Sequence, residues 1–377
     1  MIPYGHQLID QADIDAVVKV LKSEWVTTGP KVGEFEKALC DKVWSKYATA
    51  VNSGTSALDI SVRALDLPPG SEVITTPFTF VATSNSILYN DLKPVLADID
   101  LGTRNINPES IKKKITKKTR AIIYVDYAGQ PCRIQEIKEI ADRHDLRLIE
   151  DACHALGAEY RGKRVGSIAD MTVFSFHPVK HITTGEGGAI ATDDEDLDCM
   201  LKMLRNHGIS REPQTGGKEG LDYIYDVKAL GRNYRITDIQ CALGISQIAK
   251  LESFIDKRTQ LANLYNRILK DVKSVETPVI DKDVKHAWHL YTILLKGLDK
   301  NKFFRYMRGN GIGVHVHYIP IYKFSYYRER FKIKPKEFPV TEEVFERIVT
   351  LPLHPQLGDQ DIGGICDRIK AYPGDQS

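Results

Sequence analysis

The fold is decided by residues 172–192, which read TVFSFHPVKHITTGEGGAIAT. Apolar runs stand at both ends of this stretch, Thr172–Phe176 and Ala189–Thr192, and a glycine-rich turn joins them. Similar short apolar runs alternate with helical patterns from about residue 47 to residue 192. Apolar runs separated by helices are typical of a parallel sheet covered by helices on both faces. The other predicted strands are Tyr47–Val51, Glu72–Thr76, Pro94–Ala97, Ala121–Val125 and Leu146–Ile149, and the predicted helices include Ser56–Leu65, Val81–Tyr89 and Arg133–His144.

A second domain is predicted downstream of this sheet. A long helical pattern over Asp238–Leu269 leads to it, and His289–Leu295 and Val314–His317 are predicted as two of its strands. We therefore expect an α/β protein with two domains. The large domain, residues 1–250, has a mostly parallel sheet between helices, and the smaller C-terminal domain, residues 251–377, is of the α+β class.

Composition excludes several classes of protein. The 377 residues carry 52 basic and 50 acidic side chains, a net charge of +2, so a broad basic surface for nucleic acid is not expected. The six cysteines are scattered, without a CxxC pair or a metal-ligand spacing with histidine, which predicts reduced thiols and no metal site. The first residues lack the pattern of a secretory signal, and no stretch approaches the ~20 apolar residues that span a bilayer. We therefore expect a cytoplasmic protein that binds neither nucleic acid nor membrane.

Small polar residues follow the first predicted strand of the sheet. In open parallel sheets, ligands bind beyond the carboxyl ends of the strands. After Tyr47–Val51 the chain reads NSGTSAL over residues 52–58, a polar turn that opens a helix. Small residues let backbone N–H groups approach a phosphate, and the helix N-terminus adds positive potential. The same residues also suffice as an ordinary helix cap, so this turn alone leaves both interpretations open.

An acidic and an aromatic residue follow two other predicted strands. Asp151 comes just after Leu146–Ile149, where it could cap a helix or keep a pyridine nitrogen protonated, as the chemistry of pyridoxal phosphate (PLP) requires. Phe80 comes after Glu72–Thr76, where it could stack on a flat heterocycle or belong to the core. Neither residue decides between its two interpretations by itself.

Lys180 is the residue that the surrounding pattern favours most. It follows the strand Thr172–Phe176 and precedes a glycine-rich turn that returns directly into the next strand, with Ser175 five residues earlier. We expect its amine to leave the strand end and point into the same cleft as the preceding residues. Partial burial next to other cations lowers the pKa of a lysine and frees its amine to attack an aldehyde. The pattern therefore indicates Lys180 as an amine that binds a carbonyl group.

In this order, the pieces resemble the aspartate-aminotransferase fold of PLP enzymes. More narrowly, the chain resembles the DegT/DnrJ/EryC1/StrS family of nucleotide-sugar aminotransferases. Each motif is weak alone, whereas their joint order is specific and covers nearly the whole chain. The motifs are WVTTGPKVGEFE over residues 25–36, SGTSAL over 53–58, EDA over 150–152, the stretch 175–188, NYR over 233–235 and LPLHP over 351–355.

The resemblance implies a role for each residue beside the cofactor. Lys180 would hold PLP as a Schiff base and then act as general acid and base while the amino group moves. Asp151 would pair with the pyridine nitrogen, and Phe80 would stack on the ring. His154 would lie near the 3-hydroxyl of the cofactor, at a position where glutamine is frequent in the family.

The resemblance also implies a phosphate site that two subunits share. Thr55, Ser56 and Ser175 would bind the phosphate from one subunit. Asn233 of a neighbouring subunit would complete the site, so that a homodimer with shared active sites is necessary for function. The chain departs from the family at Arg232, where an aromatic residue is usual, and this puts the local contacts near the dimer interface in doubt.

The stretch 314–327, VHVHYIPIYKFSYY, is dense in aromatic and imidazole groups. Rings and hydroxyls of this kind suit a uracil base and a diphosphate bridge, while an ordinary strand with an aromatic core is the other interpretation. The candidate substrate residues within it are His317, Tyr318 and Tyr322. In the resemblance, Tyr4 and the stretch Val26, Thr27, Thr28 and Gly29 would line the sugar pocket.

Within the family, the stretches 175–188 and 314–327 look like the branch that makes the 4-amino sugar precursor of pseudaminic acid. That branch implies a UDP-linked 4-keto-6-deoxy-N-acetylhexosamine as substrate and glutamate as amino donor. An aminotransferase that acts on a 3-keto sugar linked to dTDP is the alternative within the same chemistry.

Other classes fit the pattern less well. A PLP-fold sensor without catalysis would lack Lys180 or Asp151, and both are present. A branch of the family that dehydrates sugars carries histidine in place of the catalytic lysine, so Lys180 disfavours a sugar dehydrase. A PLP enzyme that acts on amino acids remains open, because Arg308, Arg328 or Arg330 could bind a substrate carboxylate. A Rossmann dehydrogenase is excluded, since the turn after the first strand has one glycine where GxGxxG is required.

Overall fold

A computed structural model describes residues 1–210 and 223–373 of the chain. Within these ranges, no helix is long and apolar enough to cross a membrane. The helices are α1 Gln11–Leu21, α2 Pro30–Val43, α3 Gly54–Ala64, α4 Val81–Tyr89, α5 Pro108–Lys114, α6 Ile134–His144, α7 Glu195–Arg205, α8 Asp238–Ala249, α9 Leu251–Leu269, α10 Lys300–Gly309, α11 Ser325–Phe331, α12 Pro339–Arg347 and α13 Asp359–Lys370. The strands are β1 Tyr47–Val51, β2 Glu72–Thr75, β3 Lys93–Leu96, β4 Thr119–Val125, β5 Arg147–Asp151, β6 Glu159–Tyr160, β7 Lys163–Arg164, β8 Met171–Ser175, β9 Gly188–Thr192, β10 Ile209–Ser210, β11 Asp226–Val227, β12 Val275–Glu276, β13 Val284–Lys285, β14 Tyr291–Leu295 and β15 Ile348–Leu351.

Seven strands form the central sheet, in the order β1-β9-β8-β5-β4-β2-β3. Strands β3, β2, β4, β5 and β8 pair in parallel, whereas β9 runs antiparallel to both of its neighbours, β1 and β8. Antiparallel neighbours need no crossover helix, so the glycine-rich turn after β8 can return the chain directly as β9. The predicted mostly parallel sheet is confirmed, and the seven predicted runs are its seven strands.

Helices cover this sheet on both faces because its strands are apolar on both sides. Along β4, Ile123 belongs to a buried cluster with Leu58 of α3, whereas the adjacent Ile122 belongs to a second cluster with Ile137 of α6. Successive side chains of a strand point to opposite faces, so alternate residues of one strand are buried in different layers. This layering leaves the strand ends open, and the carboxyl ends are where the polar residues of the sequence lie.

The C-terminal part of the chain has its own antiparallel sheet, in the order β12-β14-β15. It shares a buried cluster with α9 and α13, to which Leu261, Tyr291 and Ile365 belong. The first residues of the chain join this part, because Ile2 forms a bridge with Ile312. The domain boundary placed between residues 250 and 251 stays a prediction.

The helical pattern over Asp238–Leu269 was expected as one helix, and the structure divides it into α8 and α9. The backbone N–H of Lys250 donates to the carbonyl of Gln247, three residues back and 3.0 Å away, so the first helix closes in a tight turn. The ammonium of Lys250 forms ion pairs with Asp10 and Asp13, which fixes this turn against the start of α1.

The prediction of a strand over Val314–His317 is wrong. Only His315 pairs with the neighbouring β15, through a single bridge to Thr350. The pairing does not continue to His317, whose backbone carbonyl oxygen accepts a hydrogen bond from the hydroxyl of Tyr127. A continued ladder would need this carbonyl. The ring of His317 is in addition 2.9 Å from the hydroxyl of Thr350, so a side-chain contact fixes the segment beside β15.

Candidate active site

A cleft of about 610 Å³ opens at the carboxyl ends of the central strands. Its walls come from the start of α3, the start of α4, the residues after β5, the turn after β8 and an irregular segment of the C-terminal part. Sequence-predicted site residues that line it are Tyr4, Thr55, Phe80, Asp151, His154, Ser175, Lys180, His317 and Tyr318.

Lys180 lies in the turn that follows β8. Its backbone N–H donates to the carbonyl of His177, 2.8 Å away, and this turn directs the side chain into the cleft. Burial lowers the pKa of Lys180 below its usual value, while the thiol of Cys153 and the carboxylate of Asp151 act in the opposite direction. The amine is therefore available in its neutral form at a lower pH than an exposed lysine would allow.

Asp151 ends β5, and its side chain is 4% exposed. One carboxylate oxygen, Oδ2, accepts a hydrogen bond from Oγ1 of Thr83, 2.7 Å away. The other oxygen, Oδ1, accepts from the backbone N–H of Cys153 at 3.2 Å. The carboxylate is thus held at the bottom of the cleft by two donors, as a group that binds the N–H of a ligand must be.

Thr83 is a residue that the sequence analysis missed. It lies in the first turn of α4, and its hydroxyl is 3.0 Å from that of Thr79. Thr79 lies just before this helix, whose N-cap is Phe80, and nothing in the sequence alone indicated that a threonine here would contact Asp151. Thr79 and Thr83 flank Phe80, which was already a candidate for the cleft.

His154 follows β5 and contacts the C-terminal part of the chain. Its Nε2 is 3.0 Å from the hydroxyl of Tyr318, and its Nδ1 is 3.3 Å from the backbone N of Ala128. Since the N–H of Ala128 must donate to Nδ1, the ring proton lies on Nε2 and points to Tyr318. Burial, and then the charge of Lys180, hold the pKa of His154 well below its usual value, so the imidazole is neutral.

The start of α3 forms a cradle of small residues in the cleft. Oγ of Ser53 caps the helix by accepting from the backbone N–H of Ser56, 3.0 Å away. A Cβ on Gly54 would lie 2.9 Å from the Cβ of Ser175, and a Cβ on Gly188 would lie 2.5 Å from the backbone of Ser53. Both glycines are thus required by close packing, which brings Ser175 beside the helix N-terminus.

Of the predicted phosphate ligands, Thr55 and Ser175 face the cleft, whereas Ser56 does not line it. Ser56 is buried, and its hydroxyl donates to the side-chain oxygen of Asn52. Ser56 therefore contributes its backbone N–H to the capping of the helix. Ser53 and Gly54, which line the cleft, were part of the recognised motif but were not named as site residues.

Phe80 begins α4 and is 57% exposed. This exposure excludes the interpretation of Phe80 as a core residue. Its ring lies 6.2 Å from that of Tyr318, at an interplanar angle of 52°, on the wall of the cleft. An open aromatic face at this place can stack on a flat ring.

Three rings form one rim of the cleft. The ring of Tyr4 is 5.3 Å from that of His315 and 5.1 Å from that of His317. Burial lowers the pKa of His317 to about 3, and its Nδ1 is 2.9 Å from the hydroxyl of Thr350. Burial also raises the pKa of Tyr4, so Tyr4 and His317 are both uncharged near pH 7, and the rings and polar atoms of this rim suit a polyhydroxylated ligand.

The structure does not bring every predicted substrate residue to this cleft. The hydroxyl of Tyr322 donates to Glu342 at 2.6 Å, and its ring stacks on Phe338, so this side chain is buried elsewhere. Residues 26–29 and Asn233 do not line this cleft either. Thr28 and Gly29 line a separate depression of about 260 Å³, together with Lys202, Arg205, Asn206 and Arg235.

The residues that do meet in the cleft fit PLP. A lysine amine can bind an aldehyde, a buried carboxylate can bind a pyridine N–H, and an open phenyl ring can cover a flat ring. The start of α3, with Thr55 and Ser175, offers N–H groups and hydroxyls to a phosphate. The aldehyde, the ring nitrogen, the ring face and the phosphate of the cofactor thus each have a matching group in this cleft.

Several known proteins are similar to this chain in sequence over nearly its whole length. The model of the DegT/DnrJ/EryC1/StrS aminotransferase family matches residues 7–370. MJ1066 of Methanocaldococcus jannaschii is 42% identical over 373 residues, which cover 98% of this chain and 97% of that protein. The UDP-4-amino-4,6-dideoxy-N-acetyl-beta-L-altrosamine transaminase of Campylobacter jejuni strain 81-176 is 38% identical over 376 residues, which cover 98% and 96% of the two chains.

Solved structures show the same architecture. PseC of Helicobacter pylori, an aminotransferase involved in the biosynthesis of pseudoaminic acid, has a TM-score of 0.91 at 35% identity and covers 98% of both chains. Spr1654 of Streptococcus pneumoniae has been solved in a PMP form, with a TM-score of 0.93 at 29% identity over 98% of both chains. Its PLP form has a TM-score of 0.91 over 98% of this chain and 97% of that one.

Proposed function

The chain belongs to the DegT/DnrJ/EryC1/StrS aminotransferase family, and we propose that its substrate is a UDP-linked 4-keto-6-deoxy-N-acetylhexosamine. It is a PLP-dependent sugar transaminase of fold type I. We propose glutamate as the amino donor and amination of C4, for a pathway that leads to pseudaminic acid. The observation that carries the proposal is the meeting of Lys180 and Asp151 in one cleft with the aromatic and imidazole rim of Tyr4, His315 and His317.

The chemistry of the reaction divides between cofactor and protein. When bound, PLP supplies an electron sink that accepts the amino group from one substrate and gives it to the other. Asp151 would orient the cofactor and stabilise positive charge on the ring nitrogen. The amine of Lys180, partly desolvated, would move a proton on and off the substrate carbon in both halves of the reaction. Phe80 would stack on the ring and keep water from it.

The rim supports a nucleotide sugar as the second substrate. Tyr4 and His317 present polar atoms at the mouth of the cleft, where a sugar would reach the cofactor, and His315 is exposed beside them. Burial raises the pKa of Tyr4 and lowers that of His317, so neither side chain carries a negative charge near pH 7 that would repel the diphosphate of such a substrate. The name of the Campylobacter jejuni relative, at 38% identity, supports a UDP-linked sugar with an N-acetyl group.

We propose that the active enzyme is a homodimer with shared active sites. Asn233 is exposed, bridges Asn206 and does not line the cleft of its own chain. Thr28 and Gly29 lie in a basic depression near the same segment. These positions support a role for Asn233 and the stretch from Val26 to Gly29 in the cleft of a second copy, where Asn233 would complete the phosphate site.

A cytoplasmic location is part of the same proposal. All six cysteines are free, with Cys132, Cys241 and Cys366 buried. Free cysteines are typical of a reducing compartment. The proposed glutamate donor is a metabolite of that compartment.

The experiment is a transamination assay with a panel of keto sugars. UDP-linked 4-keto-6-deoxy-N-acetylhexosamines are compared with dTDP-linked 4-keto and 3-keto sugars, each with glutamate, glutamine or aspartate. We expect formation of the UDP-4-amino sugar with release of 2-oxoglutarate. Amination of a dTDP-linked 3-keto sugar in preference to all UDP sugars would overturn the substrate assignment, and loss of a sugar hydroxyl without amination would indicate a dehydrase.

A further inference from the structure

We propose that Thr83 is a positioning residue for the cofactor. Its hydroxyl fixes the carboxylate of Asp151 in the orientation and the charge state that the ring nitrogen of PLP needs. This role rests on the proposed function in one respect, because it takes Asp151 as the partner of that nitrogen. Thr79 is the second member of the same hydrogen-bonded chain.

The geometry defines the direction of each hydrogen bond. Oγ1 of Thr83 is 2.7 Å from Oδ2 of Asp151, and an ionised carboxylate can only accept. The single hydroxyl proton of Thr83 is therefore used on Asp151. Oγ1 of Thr79, 3.0 Å from that of Thr83, must then donate to it. The chain runs in one direction, from Thr79 through Thr83 to the carboxylate.

Burial makes these bonds effective. Thr79, Thr83 and Asp151 are 3%, 1% and 4% exposed, so water competes little for their polar atoms. A buried carboxylate without donors would favour its neutral form, whereas hydrogen bonds donated to it favour the charged form. A hydrogen bond to a charged group contributes about 1.5–3 kcal/mol, which is roughly a 10- to 150-fold effect on an equilibrium.

The neighbouring residues provide a matched control. Glu150 precedes Asp151 on β5, and it too accepts a hydrogen bond from a buried threonine, Thr172, with 2.8 Å between Oε2 and Oγ1. Glu150 and Thr172 are fully buried and do not line the cleft. Thr172→Val removes a buried hydroxyl that donates to a carboxyl group, as Thr83→Val does, without touching Asp151.

The test measures the affinity for PLP and the pH titration of the visible absorbance of the bound cofactor. In Thr83→Val we expect the dissociation constant for PLP to rise about tenfold, as the loss of one charge-assisted hydrogen bond implies. A ring nitrogen with less positive charge also raises the pKa of the Schiff base that would join PLP to Lys180. We therefore expect the titration to move upward by about one pH unit. Thr83→Ser, which keeps the hydroxyl, should restore both values.

The outcomes separate the two proposals. The wild-type protein tests the proposed function, since it must bind PLP and show a visible absorbance band. The change in dissociation constant and in titration midpoint between variant and wild type tests the positioning role alone. Wild-type affinity and titration in Thr83→Val would overturn the positioning role, and so would equal changes in Thr172→Val. Should Thr83→Val fail to fold, Thr79→Val gives the same test, with a smaller shift in the same direction expected and no shift contradicting the proposal.

Discussion

The hydroxyl of Tyr318 lies 3.0 Å from Nε2 of His154, so one hydrogen bond joins the residue after β5 to the C-terminal part of the chain. Nε2 carries the ring proton because Nδ1 accepts from Ala128. The family resemblance places His154 near the 3-hydroxyl of PLP. Tyr318 accepts the ring proton of His154 in this structure, and a cofactor oxygen bound beside the ring would compete for the same N–H.

Tyr318→Phe tests this relationship. Without cofactor, the variant leaves a buried N–H of His154 unpaired, which costs about 1–3 kcal/mol of unfolding free energy. With cofactor, the 3-oxygen can accept that proton, so the loss should be smaller. We expect PLP to raise the melting temperature of the variant by more than it raises that of the wild type.

Tyr322→Phe is the control for this experiment. Its hydroxyl donates to Glu342 outside the cleft. The loss of stability in Tyr322→Phe should therefore be equal with and without PLP. The same equality in Tyr318→Phe would mean that His154 does not bind the cofactor oxygen.

Gly188→Ala should destabilise the sheet domain. The added Cβ would lie 2.5 Å from the backbone of Ser53, where β9 begins beside the cradle. Overpacking of this kind costs about 1–3 kcal/mol, and here the neighbour is backbone that cannot rotate away. Gly33→Ala provides the contrast, because this position in α2 has nothing within 4 Å of the added Cβ. It should stabilise the protein by about 0.5–1 kcal/mol, as measured by urea unfolding.

Lys180 should titrate below the usual lysine pKa of about 10.4 in the cofactor-free protein. Burial lowers its pKa, and the carboxylate of Asp151 partly opposes this effect. Asp151→Asn removes the opposing charge, so the pKa should fall further and the neutral amine should appear at lower pH. Competitive labelling of amines with a trace of acetic anhydride, followed by peptide mass analysis across pH, measures both values. A higher Lys180 pKa in Asp151→Asn would contradict this electrostatic account.

Much of the fold could be predicted from the sequence, because strand periodicity and strand-end chemistry are local signals. All seven strands of the central sheet were found from apolar runs. The break at Lys250 could not be predicted, since the residues that fix this turn, Asp10 and Asp13 at the start of α1, are over 200 residues away in sequence. The irregular segment at His315–His317 could not be predicted either. The hydroxyl of Tyr127, from the large domain, donates to the carbonyl of His317 that a strand would use for pairing.

The site could be predicted in part for the same reason. Asp151 and Ser175 end strands and Lys180 follows one, and the topology of the sheet brings strand ends together. Thr83 was missed because a hydroxyl on a helix carries no chemical signal until its partner is known. Tyr322 was chosen from an aromatic stretch, where sequence does not distinguish a ring in the cleft from a ring stacked on Phe338.

Asn233 should act in the cleft of the partner subunit. Lys180→Ala removes the amine from the cleft of the subunit that carries the change. Asn233→Asp, in contrast, places a negative charge against the phosphate in the cleft of the partner subunit. Each variant alone should be inactive. In mixed dimers one of the two sites carries both changes and the other carries none, so co-expression should restore about a quarter of wild-type activity. No activity above that of the single variants would mean that Asn233 acts in its own chain.

The most direct test of the account is the place at which PLP attaches. The purified protein should be yellow, and borohydride reduction should leave a phosphopyridoxyl group on the peptide that contains Lys180. Lys180→Ala should keep the fold, lose the label on that peptide and lose transamination. A protein that contains PLP but carries the reduced label on another lysine, or a Lys180→Ala variant that transaminates near the wild-type rate, would contradict the assignment of Lys180.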